Sequence, residues 1–159
     1  MRLQDKLDAM TANAVENGLL SPPVLAQFAK ATKDLVESGQ AERTVKAGDL
    51  APVFSLPDAD GAIFDSRKHL ARGPLVVTFY RGVWCPYCNL DLQALEAARG
   101  EIESRGASLV ALSMQNAANS RKSPRDNQLG FSILVDFEGA VSDRFGLRFK
   151  LPNSATISL

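Results

Sequence analysis

The stretch that decides the fold is Leu75-Val76-Val77-Thr78-Phe79-Tyr80-Arg81-Gly82-Val83-Trp84-Cys85-Pro86-Tyr87-Cys88. Residues 75–80 form a continuous β-branched and aromatic run, which is typical of a strand buried on both faces of a sheet. Pro86 is favoured at the first position of a helix, because its missing N–H group is not needed there. The stretch therefore predicts a strand, a short loop and a helix whose N-cap is Cys85. This is the place where an open α/β sheet carries its functional residues.

Strands and helices alternate on both sides of this stretch. Residues 53–56 and 62–64 flank a turn at 58–61 and predict a hairpin, and Ser66 is expected to cap a short helical turn. Further along the chain the pattern predicts helices at about 86–105, 121–129 and 138–145, and strands at 107–113 and 131–135. This alternation predicts an α/β fold with parallel strands in the centre of the sheet.

The first 46 residues differ in texture from the rest of the chain. Apolar residues recur at helical spacing from Leu3 to Ala14 and again from Leu25 to Val36, which predicts two amphipathic helices. We therefore divide the chain into an N-terminal helical arm, 1–46, and an α/β domain, 47–159. The arm contains no ligand motif, so it is expected to serve packing or dimerisation, and a homodimer is the expected assembly.

Composition narrows the function classes. The chain has 159 residues, with 18 Lys and Arg against 18 Asp and Glu, so it is long enough for one substantial core and carries no net charge. A neutral chain is not drawn electrostatically to nucleic acid or to anionic lipid. Its apolar runs are too short for a membrane span, and its N-terminus lacks the apolar stretch of a signal peptide. We expect a cytoplasmic protein that binds neither nucleic acid nor membrane.

Cys85 and Cys88 are the only cysteines of the sequence. A secreted disulfide scaffold would carry more of them, spread along the chain. With His69 as the one additional soft ligand, a four-coordinate zinc site cannot be built within one chain, so we expect neither a metal nor a cofactor. A redox-active pair is the leading interpretation, and two inert thiols or a metal site between chains are the alternatives.

The predicted helix start would activate Cys85. As N-cap, its sulfur would face the N–H groups of Tyr87 and Cys88 and the positive end of the helix dipole, and both favour the thiolate. Arg81 could add a positive charge. We take Arg81, Trp84 and Tyr87 as candidate substrate-binding residues, although aromatic residues beside a helix start commonly serve packing. His69 lies in a charged segment and is expected to be solvated.

Further stretches carry a family resemblance: Gly48–Leu56, Asp60-Gly61, Gly73–Tyr80, Gly106–Ser113 and Asp136–Gly139. With them, the chain from about Ala47 to Gly146 resembles the peroxiredoxins of the alkyl hydroperoxide reductase/thiol-specific antioxidant (AhpC/TSA) family. It is most similar to a divergent branch that carries a thioredoxin-style Cys-x-x-Cys. The resemblance implies a thioredoxin-like fold, a peroxide substrate, and a reductant of the thioredoxin or glutaredoxin type.

The residue positions of the family imply roles for Cys85 and Cys88 that differ from the roles favoured by the electrostatics of the helix start. Family members carry a Pro after the strand and a Thr or Ser three residues before the peroxidatic Cys. In that register Arg81 stands at the Pro position, Cys85 at the Thr position, and Cys88 is peroxidatic with Cys85 resolving. The N-cap argument instead favours Cys85 as the lower-pKa thiol. The order of roles stays open, with Cys88 slightly preferred for peroxide.

Three functions fit the motif: a thiol peroxidase, a thiol–disulfide oxidoreductase with Cys85 as nucleophile, and a non-enzymatic redox switch. The resemblance also implies a peroxide-binding Arg that is expected beyond residue 159. Residues 151–159 resemble the start of another sheet strand, with Ser154 where a cis-Pro is often found. The C-terminal part of the fold is therefore expected to be missing or atypical, or its exposed edge to be covered by a partner subunit.

Overall fold

The computed structural model describes residues 2–150, and the predicted strand in 151–159 lies outside that range. The first helices are α1 (Leu3–Glu16) and α2 (Pro22–Glu37), followed by a 3-10 turn at Ala41–Arg43. The later elements are β1 (Ser55–Pro57), β2 (Ile63–Asp65), α3 (Ser66–Leu70), β3 (Leu75–Phe79), α4 (Pro86–Ser104), β4 (Ser108–Ser113), α5 (Ala117–Asn127), β5 (Ser132–Val135) and α6 (Ala140–Arg144). They follow the predicted alternation of strands and helices.

Three parallel strands, in the order β3-β4-β5, form the described sheet. Leu75 pairs with Ser108 and Val110 with Ser132, and α4 and α5 supply the crossovers that parallel neighbours need. All three carboxyl ends therefore lie at one edge of the sheet. The hairpin β1–β2 is antiparallel, and an antiparallel bridge from Asp58 to Leu134 joins it to β5. The α/β architecture with parallel strands in the central sheet is as predicted.

The core lies around β4, because an uninterrupted apolar strand can be buried on both faces. Five of the six residues of β4 are buried, and Leu92 of α4 is completely enclosed against this side of the sheet. The other buried members of this cluster are Tyr80, Leu109, Ala111, Phe131 and Ile133. Removing such apolar side chains from water contributes about 25 cal/mol per Å². This core holds the first turn of α4 in place.

Helix α5 starts earlier than the sequence predicted, so the expected start at Arg121 is wrong. It begins at Ala117, because the side chain of Asn116 accepts a hydrogen bond of 2.9 Å from the backbone N–H of Asn119 and caps the helix. Pro124 lies inside the helix. The early start places Ser120 and Ser123 on a buried face of the helix.

The chain divides into two compact units. One comprises the residues up to Ala51 and those from Asp143 onward, and within it Val45 N–H donates to Phe145 C=O at 3.1 Å. Among the described residues, α1 and α2 fully bury none of their own side chains. The other unit, Pro52–Ser142, contains the sheet and both cysteines. The boundary predicted after residue 46 stays a prediction.

Within residues 2–150, no helix is both long and apolar enough to cross a membrane.

Candidate active site

The site is built where β3 ends and α4 begins. Cys85 is the N-cap of α4, with extended backbone angles of φ −92° and ψ 106°, and Pro86 follows in the first turn. The backbone N–H of Cys88 points back at the N-cap and donates to Cys85 Sγ at 3.4 Å. A cysteine thus occupies the capping position that Ser, Thr, Asp or Asn takes in most helices. This is the helix start that the sequence predicted.

The two sulfur atoms are in direct contact. Cys88 Sγ donates to Cys85 Sγ at 2.7 Å, and both cysteines are free thiols. Cys85 is only 1% exposed, whereas Cys88 is half-buried. Because both side chains belong to one helical turn, small side-chain rotations suffice to bring them to disulfide geometry.

Arg81 supplies a positive charge at the Cys85 sulfur. Its Nη2 donates to Cys85 Sγ at 3.2 Å, and its guanidinium lies over the Trp84 ring at 5.2 Å from the ring centroid. Trp84 is 64% exposed, so this cation–π contact lies at the surface. Tyr87 is half-buried in the first turn of α4. All five candidate site residues therefore lie on this one loop and helix start.

The surroundings of Cys85 and Cys88 shift the pKa values of the two thiols in opposite directions. Burial alone would raise the pKa of Cys85, but hydrogen bonds from the Cys88 thiol, the Arg81 guanidinium and the Cys88 backbone amide outweigh it and lower that pKa. Burial raises the pKa of Cys88, and the hydrogen bond it donates to Cys85 raises it further. The hydrogen bond to Cys85 is the main cause that raises the pKa of Arg81. Of the two thiols, Cys85 is therefore the one that loses its proton more readily.

A buried polar cluster beside the cysteines was not predicted from the sequence. Tyr80 follows β3, Gln115 follows β4 after one residue, and Ser123 lies on α5. The Tyr80 hydroxyl is 2.8 Å from Ser123 Oγ, and Gln115 Nε2 donates to the Tyr80 hydroxyl at 2.6 Å. The available clue was the position of Gln115, a polar residue just after a buried strand at the functional edge of the sheet.

His69 takes no part in this constellation. It is half-buried and stacks on Phe64 with a centroid distance of 4.0 Å, so the expectation of a solvated histidine is wrong. The short helix α3 carries His69 and places its imidazole against the ring of Phe64 in β2. In the part of the chain that the structure describes, no group of three or more His, Cys, Asp or Glu residues is arranged to hold a metal ion.

Comparison with known proteins identifies the family. The sequence model of the AhpC/TSA family matches residues 47–158. The chain belongs to the AhpC/TSA family. It is similar to peroxiredoxin Bcp of Escherichia coli (strain K12), with 29% identity over 103 residues. That alignment covers 65% of this chain and 65% of the Escherichia coli protein, so it spans just under two thirds of this curated relative.

Solved structures confirm the predicted thioredoxin-like fold of this AhpC/TSA member. The crystal structure of peroxidoxin BcpB from Mycobacterium tuberculosis superposes with a TM-score of 0.61 at 26% identity, covering 65% of this chain and 67% of that one. A secreted Mycobacterium tuberculosis disulfide oxidoreductase homologous to Escherichia coli DsbE gives a TM-score of 0.53 at 21% identity, covering 62% and 71%. The second likeness concerns the fold alone.

Proposed function

We propose that this AhpC/TSA protein is a thiol peroxidase that reduces hydrogen peroxide or an organic hydroperoxide through Cys85 and Cys88. The observation that carries the proposal is the environment of Cys85 Sγ, which accepts hydrogen bonds from Arg81 Nη2, from Cys88 Sγ and from the Cys88 backbone. A thiolate is the nucleophilic form of cysteine, and these donors favour that form at Cys85 by lowering its pKa. Membership of the family supports the choice of peroxide as the substrate.

In the first step the Cys85 thiolate attacks one oxygen of the peroxide. The sulfur bonds to the hydroxyl-bearing oxygen, the O–O bond breaks, and the other oxygen leaves as hydroxide or alkoxide and takes a proton from solvent to give water or alcohol, so that Cys85 becomes a sulfenic acid. Arg81 is exposed and already contacts the sulfur, so its guanidinium can hold the peroxide and stabilise the charge on the leaving oxygen. Trp84 and Tyr87 are the proposed lining of this substrate site.

In the second step Cys88 attacks the sulfenic sulfur of Cys85. The S–O bond breaks, water leaves, and the Cys85–Cys88 disulfide forms. A dithiol protein of the thioredoxin or glutaredoxin type restores the pair. Its thiolate is expected to attack Cys88, the more exposed sulfur, and to release Cys85, because a thiol of lower pKa leaves faster.

The family register assigns these roles the other way round, with Cys88 attacking peroxide and Cys85 resolving. A single-turnover peroxide assay with dimedone trapping on Cys85→Ser and Cys88→Ser separates the two orders. We expect Cys88→Ser to form a sulfenic acid at Cys85, and Cys85→Ser to react no faster than free cysteine. Sulfenic acid at Cys88 in Cys85→Ser alone would establish the family order. If neither variant nor the parent reacts faster than free cysteine, the protein is not a peroxidase.

A second candidate function is thiol–disulfide exchange with protein disulfides. The observation that favours it is the low-pKa N-cap cysteine of a Cys-Pro-x-Cys helix start. Insulin reduction measures this activity, and Cys88→Ser would then accumulate mixed disulfides through Cys85. The Cys85→Ser/Cys88→Ser double variant is the matched control. Insulin reduction without peroxide consumption would replace the peroxidase proposal.

We also propose that the protein is a homodimer and that it is located in the cytoplasm. Leu19, Phe28 and Val36 of the arm are large apolar side chains exposed in the single chain, and we propose that a second copy covers them. A cytoplasmic location would keep the pair in its dithiol form. Analytical ultracentrifugation of the full chain should show a dimer that Phe28→Glu dissociates. A monomer at every concentration would refute the homodimer.

A further inference from the structure

Both peptide groups of Val83, in the middle of the active-site loop, are held by side chains from other elements. The Val83 N–H donates to Gln115 Oε1 at 3.0 Å. The Val83 C=O accepts from Asn89 Nδ2 at 2.9 Å. A loop whose backbone donor and acceptor are both bound to side chains of the scaffold has little freedom to shift. Val83 lies midway between Arg81 and Cys85, the two residues whose contact creates the thiolate site.

Gln115 is itself held firmly. It is 9% exposed, and besides accepting from Val83 it donates through Nε2 to the Tyr80 hydroxyl at 2.6 Å and to Ser123 Oγ at 3.1 Å. The Val83 N–H needs an acceptor, which fixes the amide oxygen of Gln115 on that side. Each polar atom of the amide thus has a defined partner, and a fully satisfied buried network of this kind is rigid.

Asn89 is anchored from the opposite side by α5 and α4. Its Oδ1 accepts from Asn127 Nδ2 at 3.1 Å, and Asn127 Oδ1 accepts in turn from Gln93 Nε2 at 2.9 Å. Asn127 also donates to the Ser123 carbonyl at 3.0 Å. Both anchors of Val83 therefore lead back to α5, the helix that packs on β5 and α4.

The rest of the loop is packed tightly as well. Gly82 is buried at φ +149°, and a Cβ there would lie 2.5 Å from Trp84 Nε1 and 3.2 Å from Gln115 Oε1. The Cys85 N–H donates to the Gly82 carbonyl at 3.0 Å. Arg81, in contrast, has an exposed side chain, and a long exposed side chain loses rotamer entropy when it is held in one contact. The contact of the Arg81 guanidinium with the Cys85 sulfur therefore depends on how firmly the loop backbone that carries Arg81 is held.

We propose that Gln115 and Asn89 are positioning residues for the proposed reaction, because they clamp the Val83 peptide and so hold the Arg81 guanidinium against the Cys85 sulfur. Neither residue touches the sulfur, and both act through Arg81. The proposal deepens the proposed function, but its geometric part concerns the reduced thiol and does not require that peroxide is the substrate.

The test measures the titration of Cys85 by its alkylation rate against pH, in a Cys88→Ser background. With Cys88 replaced, Arg81 is the titratable group that still acts on the Cys85 sulfur, since the nearby Tyr80 hydroxyl interacts with position 88. Gln115→Met and Asn89→Leu keep side-chain volume and remove the clamp from opposite sides. We expect each variant to raise the pKa of Cys85 by about one unit, towards the pKa that Cys85 has in Arg81→Ala. The reason is that a nearby cation lowers a thiol pKa by about that amount or more.

A double-mutant cycle distinguishes positioning from a general loss of structure. In an Arg81→Ala background, Gln115→Met and Asn89→Leu should leave the pKa of Cys85 where Arg81→Ala alone puts it. Gln93→Met is the matched control, since Gln93 belongs to the same network without touching the loop, and it should leave the pKa unchanged. An unchanged pKa in both clamp variants, or an equal rise with and without Arg81, would overturn the proposal. Alkylation needs no peroxide, so this result is independent of peroxidase activity.

Discussion

Helices α2 and α4 start with the same local sequence pattern but differ in the contacts that their N-cap side chains make. Each has a proline in its first turn and a small polar or sulfur-bearing N-cap, Ser21 in α2 and Cys85 in α4. Within the described residues, Ser21 caps without a side-chain hydrogen bond, whereas Cys85 Sγ accepts from the Cys88 backbone. The α4 cap also has Arg81 on its sulfur and a core beneath it. The two helices therefore share a local start, and α4 differs by the donors that Arg81 and Cys88 place on its N-cap sulfur.

The largest expected difference between the two helices is in stability. Leu92→Ala should lower the free energy of unfolding by about 2–5 kcal/mol, because Leu92 is 0% exposed in α4 and its loss leaves a cavity. In the single chain, Val36→Ala in α2 should change the free energy of unfolding by less than about 0.5 kcal/mol, because Val36 is 71% exposed there, and it should cost more only where the proposed second copy covers Val36. Urea unfolding checks both values. A cost of several kcal/mol at Val36 would show instead that the arm is covered in the native assembly.

The next prediction moves a cysteine to the other cap. Ser21→Cys, in a chain without Cys85 and Cys88, should have a thiol pKa within about one unit of the free value of 8.5, since only the helix dipole acts on it. Cys85 in Cys88→Ser should have a lower pKa than the Ser21→Cys thiol, because Arg81 adds its positive charge at the Cys85 sulfur. Alkylation rates against pH measure both. Equal pKa values at the two caps would mean that a helix N-terminus alone activates Cys85.

The pH dependence of stability follows from the two thiols. The lowered pKa of Cys85 stabilises the reduced fold above the free-thiol pKa, and this contribution is lost as pH falls through the folded pKa. The raised pKa of Cys88 has the opposite effect and destabilises the fold as pH rises above about 8.5. The free energy of unfolding of the reduced protein should therefore increase up to about pH 8.5 and then decline. In Cys85→Ser the increase should disappear from urea unfolding curves, and its persistence would contradict the assignment.

The smallest expected effects concern the caps as structural devices. Asn116→Ala should destabilise the fold by about 1 kcal/mol, because the Asn116 side chain caps Asn119 N–H at 2.9 Å. Ser21→Ala should cost only a few tenths of a kcal/mol, because Ser21 makes no such bond among the described residues. Thermal unfolding of the two variants measures the difference. Equal costs would show that the Ser21 hydroxyl caps α2 in solution.

The parts of the site that the sequence predicted are those with a local cause. The apolar run at 75–79 and the proline at 86 place the end of β3 and the start of α4 within a short segment, so the cysteine cap follows directly. Helix α5 begins four residues before the predicted start at Arg121, because the side chain of Asn116 caps it at Ala117. Pro124 is tolerated inside α5.

By itself, the sequence determined that a Cys-Pro-x-Cys motif begins a helix after a buried strand, because strand and cap preferences act over a few neighbouring residues. The same local pattern already favoured Cys85 as the thiol of lower pKa, whereas only the tertiary structure decided what holds the loop that carries Arg81. Gln115 lies 32 residues beyond Val83 and accepts a hydrogen bond from its N–H. Ser123 lies 40 residues beyond Val83 and accepts from Gln115. Asn89 of α4 donates to the Val83 carbonyl from the other side. Such convergence depends on the parallel register of β3 and β4 and on the packing of α5, which no short-range pattern encodes.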